Sequence, residues 1–468
     1  MKNKIVLLTI DSTRRDLEWR MFLASQLAKV GIQSVIMDST SFRRVNQHSR
    51  NCLFLGRVRV DHTLLNSMKK RNTKIFFLHD EGAFYRQGSY AETVKKIYPP
   101  VIFAHPLIER IFFWGPKQMN LFADDDSKHK FRISGYPRFD LSRQEYGRLD
   151  QMSVKRLQDK YGDYILLCSR FAAANKGTDD HSILGKRMFQ VWPYSETKNS
   201  NVREAKLNEM FEYWARTTRE FSDFVVATAK LAIDFPDQSF LYRPHPAESE
   251  AFYKEPFEHF PNLHVSKTGD ARSAIRAAKA VIHSECTTSL EAAAMGKPLI
   301  NFRPQMGYMD DHTVAGVSEL GADAHNYNEL HLELKNILNG NSNNCTNLSD
   351  LKEHVANTPD APEASGILVK EILEHFETQH EDSFLDMRQL KLLGYYDQVT
   401  KMLGTGFRLL HSGTRRSIRH GQNTSDKERK KTDLTPNLMS DLWETFGGNP
   451  LNLKHQSGIF FITPDDTD

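Results

Sequence analysis

Two runs in the middle of the chain hold residue types that can grip and process a phosphate: Phe240–Leu–Tyr–Arg–Pro–His–Pro246 and Val281–Ile–His–Ser–Glu–Cys–Thr–Thr–Ser–Leu–Glu–Ala–Ala–Ala–Met–Gly–Lys–Pro298. Each begins as a short apolar stretch of strand type and passes into polar residues, the place where open α/β sheets hold their ligands. In the second run the strand turns directly into a helix whose first turn carries Thr287, Thr288 and Ser289, just after Ser284. Hydroxyls and free backbone N–H groups then converge on one point, which favours an anion. Glu291, one turn further in, is spaced to accept hydrogen bonds from ribose hydroxyls. Arg243 and His245 can supply positive charge and a proton. Together the runs predict a nucleotide-phosphate site. Taken singly, each also reads as ordinary structure, one as a hydroxyl-capped helix start and the other as a strand closed by a rigid Pro turn.

Other residues could complete such a site. Cys168–Ser–Arg–Phe–Ala–Ala–Ala–Asn175 repeats the pattern of a strand followed by polar and small residues, so Ser169, Arg170 and Asn175 are candidates to close over phosphate or sugar. A carboxylate to act as base or nucleophile could come from either of two turns that follow strands. These are His79–Asp–Glu–Gly–Ala, with Asp80 and Glu81, and Gly135–Tyr–Pro–Arg–Phe–Asp140. Acids in such turns are also common as caps and solvated loop charges. Neither G-x-G-x-x-G nor G-x-x-x-x-G-K-[ST] occurs, against dinucleotide redox chemistry and ordinary ATPase chemistry. The histidines lack H-E-x-x-H spacing, and Asp124–Asp–Asp126 reads as a solvated loop. The expectation is a site without metal or cofactor, in which Arg, His and helix N-termini neutralise a leaving phosphate.

The elements that must position these residues alternate. Strand-like runs at 5–10, 34–38, 52–55, 74–79, 101–105 and 131–134 are separated by helical spacing, predicting a parallel, doubly wound sheet. A polar helical stretch over 142–161 precedes a second alternating series. Its strands are expected at 164–168, 239–243, 263–266, 280–283 and 298–302, and its helices at 203–233, 271–279 and 287–295. The fold class predicted is α/β, with two Rossmann-like domains facing a cleft and a mostly helical C-terminal extension. The expected boundaries are 1–150 for the acceptor-side domain, 151–345 for the nucleotide-binding domain, 346–419 for the helical extension and 420–468 for a linker and tail.

At 468 residues and 39% hydrophobic content the chain can build two or three cores. Its 62 Lys plus Arg against 59 Asp plus Glu leave a formal charge of +3, so no global basicity points to nucleic acid. Cys52, Cys168, Cys286 and Cys345 form no C-x-x-C pair, against both a zinc ribbon and a disulfide framework and in keeping with a reducing cytoplasm. No run reaches the length of a bilayer span. Residues 386–419 interleave Leu, Phe and Tyr with Arg, a pattern suited to a solvated terminal helix or to peripheral contact with an anionic inner membrane.

On these motifs the chain resembles the bacterial surface carbohydrate biosynthesis proteins, which look like GT-B glycosyltransferases. The residues that carry the resemblance are Arg15–Asp–Leu, Asp80–Glu–Gly82, Phe113–Trp–Gly115, Gly135–Tyr–Pro–Arg–Phe–Asp140, Leu167–Cys–Ser–Arg–Phe171, Arg243–Pro–His–Pro246 and His283–Ser–Glu–Cys–Thr–Thr–Ser–Leu–Glu–Ala292. They span roughly the first three hundred residues, in order. The last two are also similar to the His–Pro and Ser/Thr motifs of CMP-sugar transferases that handle Kdo or sialic acid. That resemblance implies His245 on the CMP phosphate, with Ser284, Thr287, Thr288 and Ser289 holding it. The loop His–Asp–Glu–Gly stands where Asp–Glu–Glu–Gly is usual, and Gly–Tyr–Pro–Arg where Gly–Asn–Pro–Arg is.

The implied activity is transfer of an ulosonic acid such as Kdo from a CMP-sugar donor to a glycan or lipid-linked glycan acceptor, in lipopolysaccharide or capsule assembly. Asp140 or Glu81 would act on the acceptor or the anomeric carbon, and His245 would assist departure of the phosphate. A CDP-glycerol-type polyol-phosphate transferase is the alternative, and a non-catalytic glycan-assembly scaffold is the reading from another class.

Overall fold

The computed structural model describes residues 3–58, 61–80, 85–175, 200–304, 313–318, 320–341, 348–390, 436–446, 453–456 and 459–464. The strands in the first part of the chain are β1 (Ile5–Ile10), β2 (Gln33–Asp38), β3 (Ser49–Arg50), β4 (Leu53–Gly56), β5 (Lys74–Leu78), β6 (Ile108–Phe113) and β7 (Phe131–Ile133). There follow β8 (Tyr164–Cys168), β9 (Ser239–Arg243), β10 (Leu263–Val265), β11 (Ala280–His283), β12 (Leu299–Phe302) and β13 (Ala322–Ala324). The C-terminal part adds β14 (Phe384–Leu385), β15 (Leu453–Gln456) and β16 (Ile459–Ile462).

Contacts divide the chain into two compact units. Unit 1 is Met1–Ala83, Val94–Leu141 and Glu353–Asp468, and unit 2 is Phe84–Thr93 with Ser142–Lys352. Unit 1 carries a sheet ordered β15-β16-β2-β1-β4-β5-β6-β7, parallel from β2 to β7. Unit 2 carries the all-parallel order β10-β9-β8-β11-β12-β13. Near-continuous apolar runs such as Ile5–Ile10 and Tyr164–Cys168 are what strands covered on both faces require. In each sheet the chain builds outwards from its first strand, then returns to that strand's other side. The reversal falls between β1 and β4 in unit 1 and between β8 and β11 in unit 2, and such switch points are where α/β sheets hold ligands.

Side chains from one face of the unit 2 sheet pack with the helices that cover it. Phe224, Ala227 and Leu231 of the long helix Ser200–Asp234 meet Phe171, Tyr242, Tyr253, Phe257 and Phe302 in one cluster. Each such ring, fully buried, contributes roughly 1.5–3 kcal/mol. In unit 1, Tyr98 stacks on Phe113 at 4.8 Å, and Phe103 meets Phe122 and Phe131 edge-on at 4.8 and 5.2 Å.

Three expectations are corrected. The apolar run Val101–His105 is not a strand: Pro99–Pro100 starts the short helix Pro100–Phe103, and the strand is β6. The boundary near residue 150 moves to Leu141/Ser142, because Asp150 is buried against Arg272 (2.6 Å) and Arg276 (3.0 Å) of unit 2. The C-terminal part is neither a separate extension nor only a tail. The helix Ala364–Thr378 packs into unit 1 through Glu371, which accepts from Arg110 (2.6 Å) and Arg132 (2.5 Å), and β16 pairs antiparallel with β2. All of Ile459–Ile462 is buried there, which is the apolar gain that brings this segment back to the first domain. Most of the amphipathic stretch 386–419, and much of the expected linker, lie outside the described residues.

Candidate functional site

The candidate residues of unit 2 line the carboxyl edge of its sheet, at the ends of β9, β8 and β11. The ends of β9 and β11 stand two strand spacings apart, about 10 Å, with the end of β8 between them.

At the end of β9 the chain passes through Pro244 into an exposed His245. The ring is fixed from below: its Nδ1 accepts the backbone N–H of Ala247 at 3.1 Å, and its own backbone N–H donates to Ser169 Oγ at 3.2 Å. Because Nδ1 accepts, the neutral ring carries its proton on Nε2. Although one face is open to solvent, loss of hydration against the loop, with nearby Lys267, lowers the pKa of His245. At neutral pH the ring is therefore in its neutral form, with Nε2–H as its donor.

Beneath it lies a polar knot that the sequence reading missed. Glu248, fully buried, accepts from Ser169 Oγ (2.6 Å), from Tyr253 Oη (2.6 Å) and from the backbone N–H of Phe171. Burial pushes its carboxyl up, while Ser169, Tyr253 and Phe171 pull it down. The knot ties the turn after β8 to the turn after β9. Ser169 is 2% exposed, so its hydroxyl serves this tie and does not face a ligand. Asn175, also buried, donates to the carbonyl of Ser249 at 3.2 Å and closes the same loop. The only sequence sign of Glu248 was its place two residues after Pro246, a position any surface acid could fill.

At the switch point Arg170 spans from β8 to β11. Its Nε donates to the carbonyl of Ser284, and Nη2 lies 2.8 Å from Glu285 Oε2. Burial lowers the guanidinium pKa, but Glu285 and Glu220 outweigh it and the net shift is upward. Glu285 sits at φ 49°, a strained backbone for a non-glycine residue, with its N–H held by Asn301 Oδ1 at 3.0 Å. Arg243 is likewise occupied, donating to the carbonyls of Thr268 (3.0 Å) and Gly269 (2.6 Å).

The hydroxyl turn divides into two groups. Ser289 is buried and donates to the carbonyl of Cys286 at 2.7 Å; Ser284 and Glu291 are 2% and 3% exposed. Thr288 is half-buried with Oγ1 3.0 Å from Cys286 Sγ. Thr287 is exposed and its side chain makes no capping bond. Among the described candidates, His245 and Thr287 are exposed, while Ser169, Arg170, Asn175, Arg243 and Ser289 are engaged in holding the turns that carry them. His283, at the end of β11, is buried with Nε2 3.2 Å from the carbonyl of Leu320, and burial drives its pKa down to about 3.

The carboxylates proposed from the first domain belong to unit 1. Asp140 is fully buried. One oxygen accepts from Asn357 Nδ2 (2.7 Å) and the Ala364 N–H (3.0 Å), the other from the N–H and Oγ of Ser365 (2.8 and 2.7 Å). It caps the helix Ala364–Thr378, and no face is left for a substrate. Its neighbour Tyr136 stacks on Trp114 at 4.2 Å, so the Gly–Tyr–Pro–Arg–Phe–Asp run forms core and cap. Glu81 lies outside the described residues. Asp80 beside it is buried, 3.1 Å from the fully buried Arg20, and burial raises its carboxyl to about 7 against the pull of Arg20. Among the described residues no group of three or more His, Cys, Asp or Glu is placed to hold a metal, and no helix is long and apolar enough to cross a membrane.

No family model matches the chain, and no curated protein does. Solved structures do match. The wall teichoic acid polymerase TagF aligns with a TM-score of 0.51 at 11% identity, covering 81% of this chain and 90% of that one. The UDP-GlcNAc 2-epimerase from Methanocaldococcus jannaschii aligns with a TM-score of 0.49 at 13% identity, covering 80% and 99%. A putative UDP-N-acetylglucosamine 2-epimerase from Listeria monocytogenes gives 0.47 at 14%, covering 82% and 100%. At such identities the likeness is one of fold, and with the two parallel sheets it places the chain in the α/β class with a GT-B-type fold.

Proposed function

We propose that the protein is a transferase that consumes a cytidine-activated donor and moves a polyol phosphate, from a CDP-glycerol-type molecule, to a glycan or lipid-linked glycan acceptor. The observation that carries the reading is His245. The ring stands at the carboxyl end of β9 with Nδ1 pinned by the Ala247 N–H, which leaves Nε2–H directed away from that bond as a donor for a phosphate oxygen. Thr287, about two strands away, offers a second donor on the same edge. The likeness in fold to TagF, a wall teichoic acid polymerase, favours this donor class over others.

In the transfer, an acceptor hydroxyl oxygen attacks the phosphorus that bears the polyol. The bond from that phosphorus to the bridging oxygen breaks, and CMP leaves carrying the bridging oxygen while the hydroxyl proton passes to a base. Negative charge develops on the leaving phosphate, and a neutral donor stabilises it without being deprotonated itself. Transfer of an ulosonic acid from a CMP-sugar is the second reading, favoured by the Arg–Pro–His–Pro turn and the Ser/Thr-rich turn over 284–289. It too releases CMP, but the attack falls on the anomeric carbon.

Calorimetric titration with CMP, CDP, UDP and GDP tests the donor class. Selective CMP and CDP binding, weakened in His245→Ala, supports the proposal, and preference for UDP or GDP refutes it. Mass analysis of the acceptor after turnover then separates the two readings, because only polyol-phosphate transfer adds phosphorus to the product. Absence of any nucleotide binding would favour the scaffold.

A further inference from the structure

Both main-chain groups of His245 lead to Glu248. The carbonyl of His245 accepts the backbone N–H of Glu248 at 2.8 Å, closing a tight turn over 245–248. The His245 N–H donates to Ser169 Oγ at 3.2 Å, and Ser169 Oγ donates to Glu248 Oε2 at 2.6 Å. Three hydrogen bonds thus form a closed circuit. It leaves Glu248 through its main chain, passes through His245 and Ser169, and returns to the Glu248 side chain. The imidazole hangs from this circuit and is tied into the turn once more, by the Ala247 N–H on Nδ1. Lys267 Nζ clamps the same turn by donating to the carbonyls of Pro246 (3.2 Å) and Glu248.

The carboxylate gives the circuit its direction. An ionised Glu248 can only accept, so Ser169 turns its one proton inward and presents a lone pair to the His245 N–H. The other partners of Glu248 are donors as well: Tyr253 Oη shares Oε2 at 2.6 Å, and the Phe171 N–H takes Oε1. Separations of 2.6 Å are those of hydroxyls on a charged carboxylate. With all three partners donating, the carboxyl has no need of a proton of its own. Ser169 and Phe171 lie in the turn after β8 and Tyr253 lies on the helix Glu250–Phe257, so the carboxylate gathers two elements beneath the turn that carries the imidazole.

We propose that Glu248, acting through Ser169, is the positioning residue of His245: it fixes the peptide that carries the ring, keeps the Ala247 N–H on Nδ1 and so holds the ring proton on Nε2. Once the circuit is cut, the His245 peptide is free to rotate, the contact on Nδ1 is lost and nothing selects between the two tautomers. The service of Nε2–H to a phosphate rests on the functional reading above. The positioning itself does not.

The test uses the full chain with nitrogen-labelled histidine rings, read by NMR, and CMP as the binding probe. The His245 signal is assigned by its loss in His245→Ala. In the wild type this ring should be protonated on Nε2 and bare on Nδ1, and in Ser169→Ala and Glu248→Gln it should become a mixture of both tautomers. CMP affinity should fall about threefold to tenfold in each. In a His245→Ala background neither substitution should weaken CMP by more than about twofold further. Tyr164→Phe controls for lost stability, since it removes a buried hydrogen bond to the carbonyl of Ala274 (2.7 Å) at the opposite end of β8 and should leave ring signal and affinity unchanged. Should Glu248→Gln fail to fold, Ser169→Ala carries the test, because it leaves Glu248 two donors. An unchanged tautomer in the folded variants overturns the proposal. So does a CMP affinity that is unaltered while His245→Ala weakens it, or that falls equally with and without the ring. If the tautomer responds but CMP does not bind, or binds without need of His245, the positioning stands and the ring's contact with phosphate falls.

Discussion

Replacing Asp140 by Asn separates a cap from a catalyst. The carboxylate accepts four hydrogen bonds, two of them from the first backbone N–H groups of the helix Ala364–Thr378 and one from Asn357, which precedes that helix. An amide in its place keeps one oxygen and turns an NH2 group towards donors that cannot accept from it. The Ser365 hydroxyl can rotate to accept, but the backbone N–H beside it cannot. Losing the cap and stranding a buried N–H together cost about 2–4 kcal/mol. For a unit of this size the melting temperature should fall by roughly 5–12 °C. Turnover per folded molecule, measured well below that transition, should change less than threefold or so, because nothing that reacts is touched. Calorimetric melting and a single-temperature transfer assay on the same preparation give both numbers. Ser365→Ala is the control, since it weakens the same cap from the helix side and should lower stability by about 1 kcal/mol. An unchanged melting temperature in Asp140→Asn, with turnover down by two orders of magnitude, would refute the capping role and return Asp140 to the chemistry.

Further outcomes follow from the same structure. His245→Ala should lower turnover by about a hundredfold or more while costing less than about 1 kcal/mol of stability, and turnover within twofold of wild type would exclude the ring from phosphate contact. His283, whose folded pKa of about 3 lies below its unfolded value, favours folding above pH 6.5 and loses that contribution as the pH falls towards 3. Denaturant unfolding should therefore weaken by up to about 1.4 kcal/mol per pH unit below 6.5 from this residue, a slope that His283→Asn should remove. Gly135→Ala should destabilise unit 1 by about 2 kcal/mol or more, since φ there is 78° and a Cβ would collide with the Asn357 side chain. A thermal scan showing no loss would mean that Asn357 moves aside without cost.

Local pattern made most of this fold legible. Apolar runs such as Ile5–Ile10 and Tyr164–Cys168 are strands because both faces are covered, whereas the order in which each sheet lays them side by side came only from the structure. The polar ends of β8, β9 and β11 were visible for the same reason. What sequence could not show is pairing across long separations. Nothing near Asp140 announces that a helix more than two hundred residues away needs its carboxylate. Glu248 and Glu285 look like any surface acids until the strands that carry them are laid side by side. Ser169 and Ser289 point inward because an edge that presents donors must first satisfy its own turns. Pro99–Pro100 explains the one clear misreading of period: an apolar run too short to declare itself was turned into a helix by its leading prolines.

The pairing of β16 with β2 also bears on how the protein is made. During synthesis β1, β2 and β4 leave the ribosome together, but the strand that covers β2 is encoded more than four hundred residues later. At ordinary elongation rates that interval is on the order of half a minute. Throughout it, β2 offers bare N–H and C=O groups on an apolar strand, an invitation to any other extended nascent chain. Unit 2 has its strands β8 to β13 in hand well before β16 emerges. The second unit of this protein should therefore mature first on the ribosome, and the first unit is the one whose yield should depend on a chaperone that shields a waiting sheet edge.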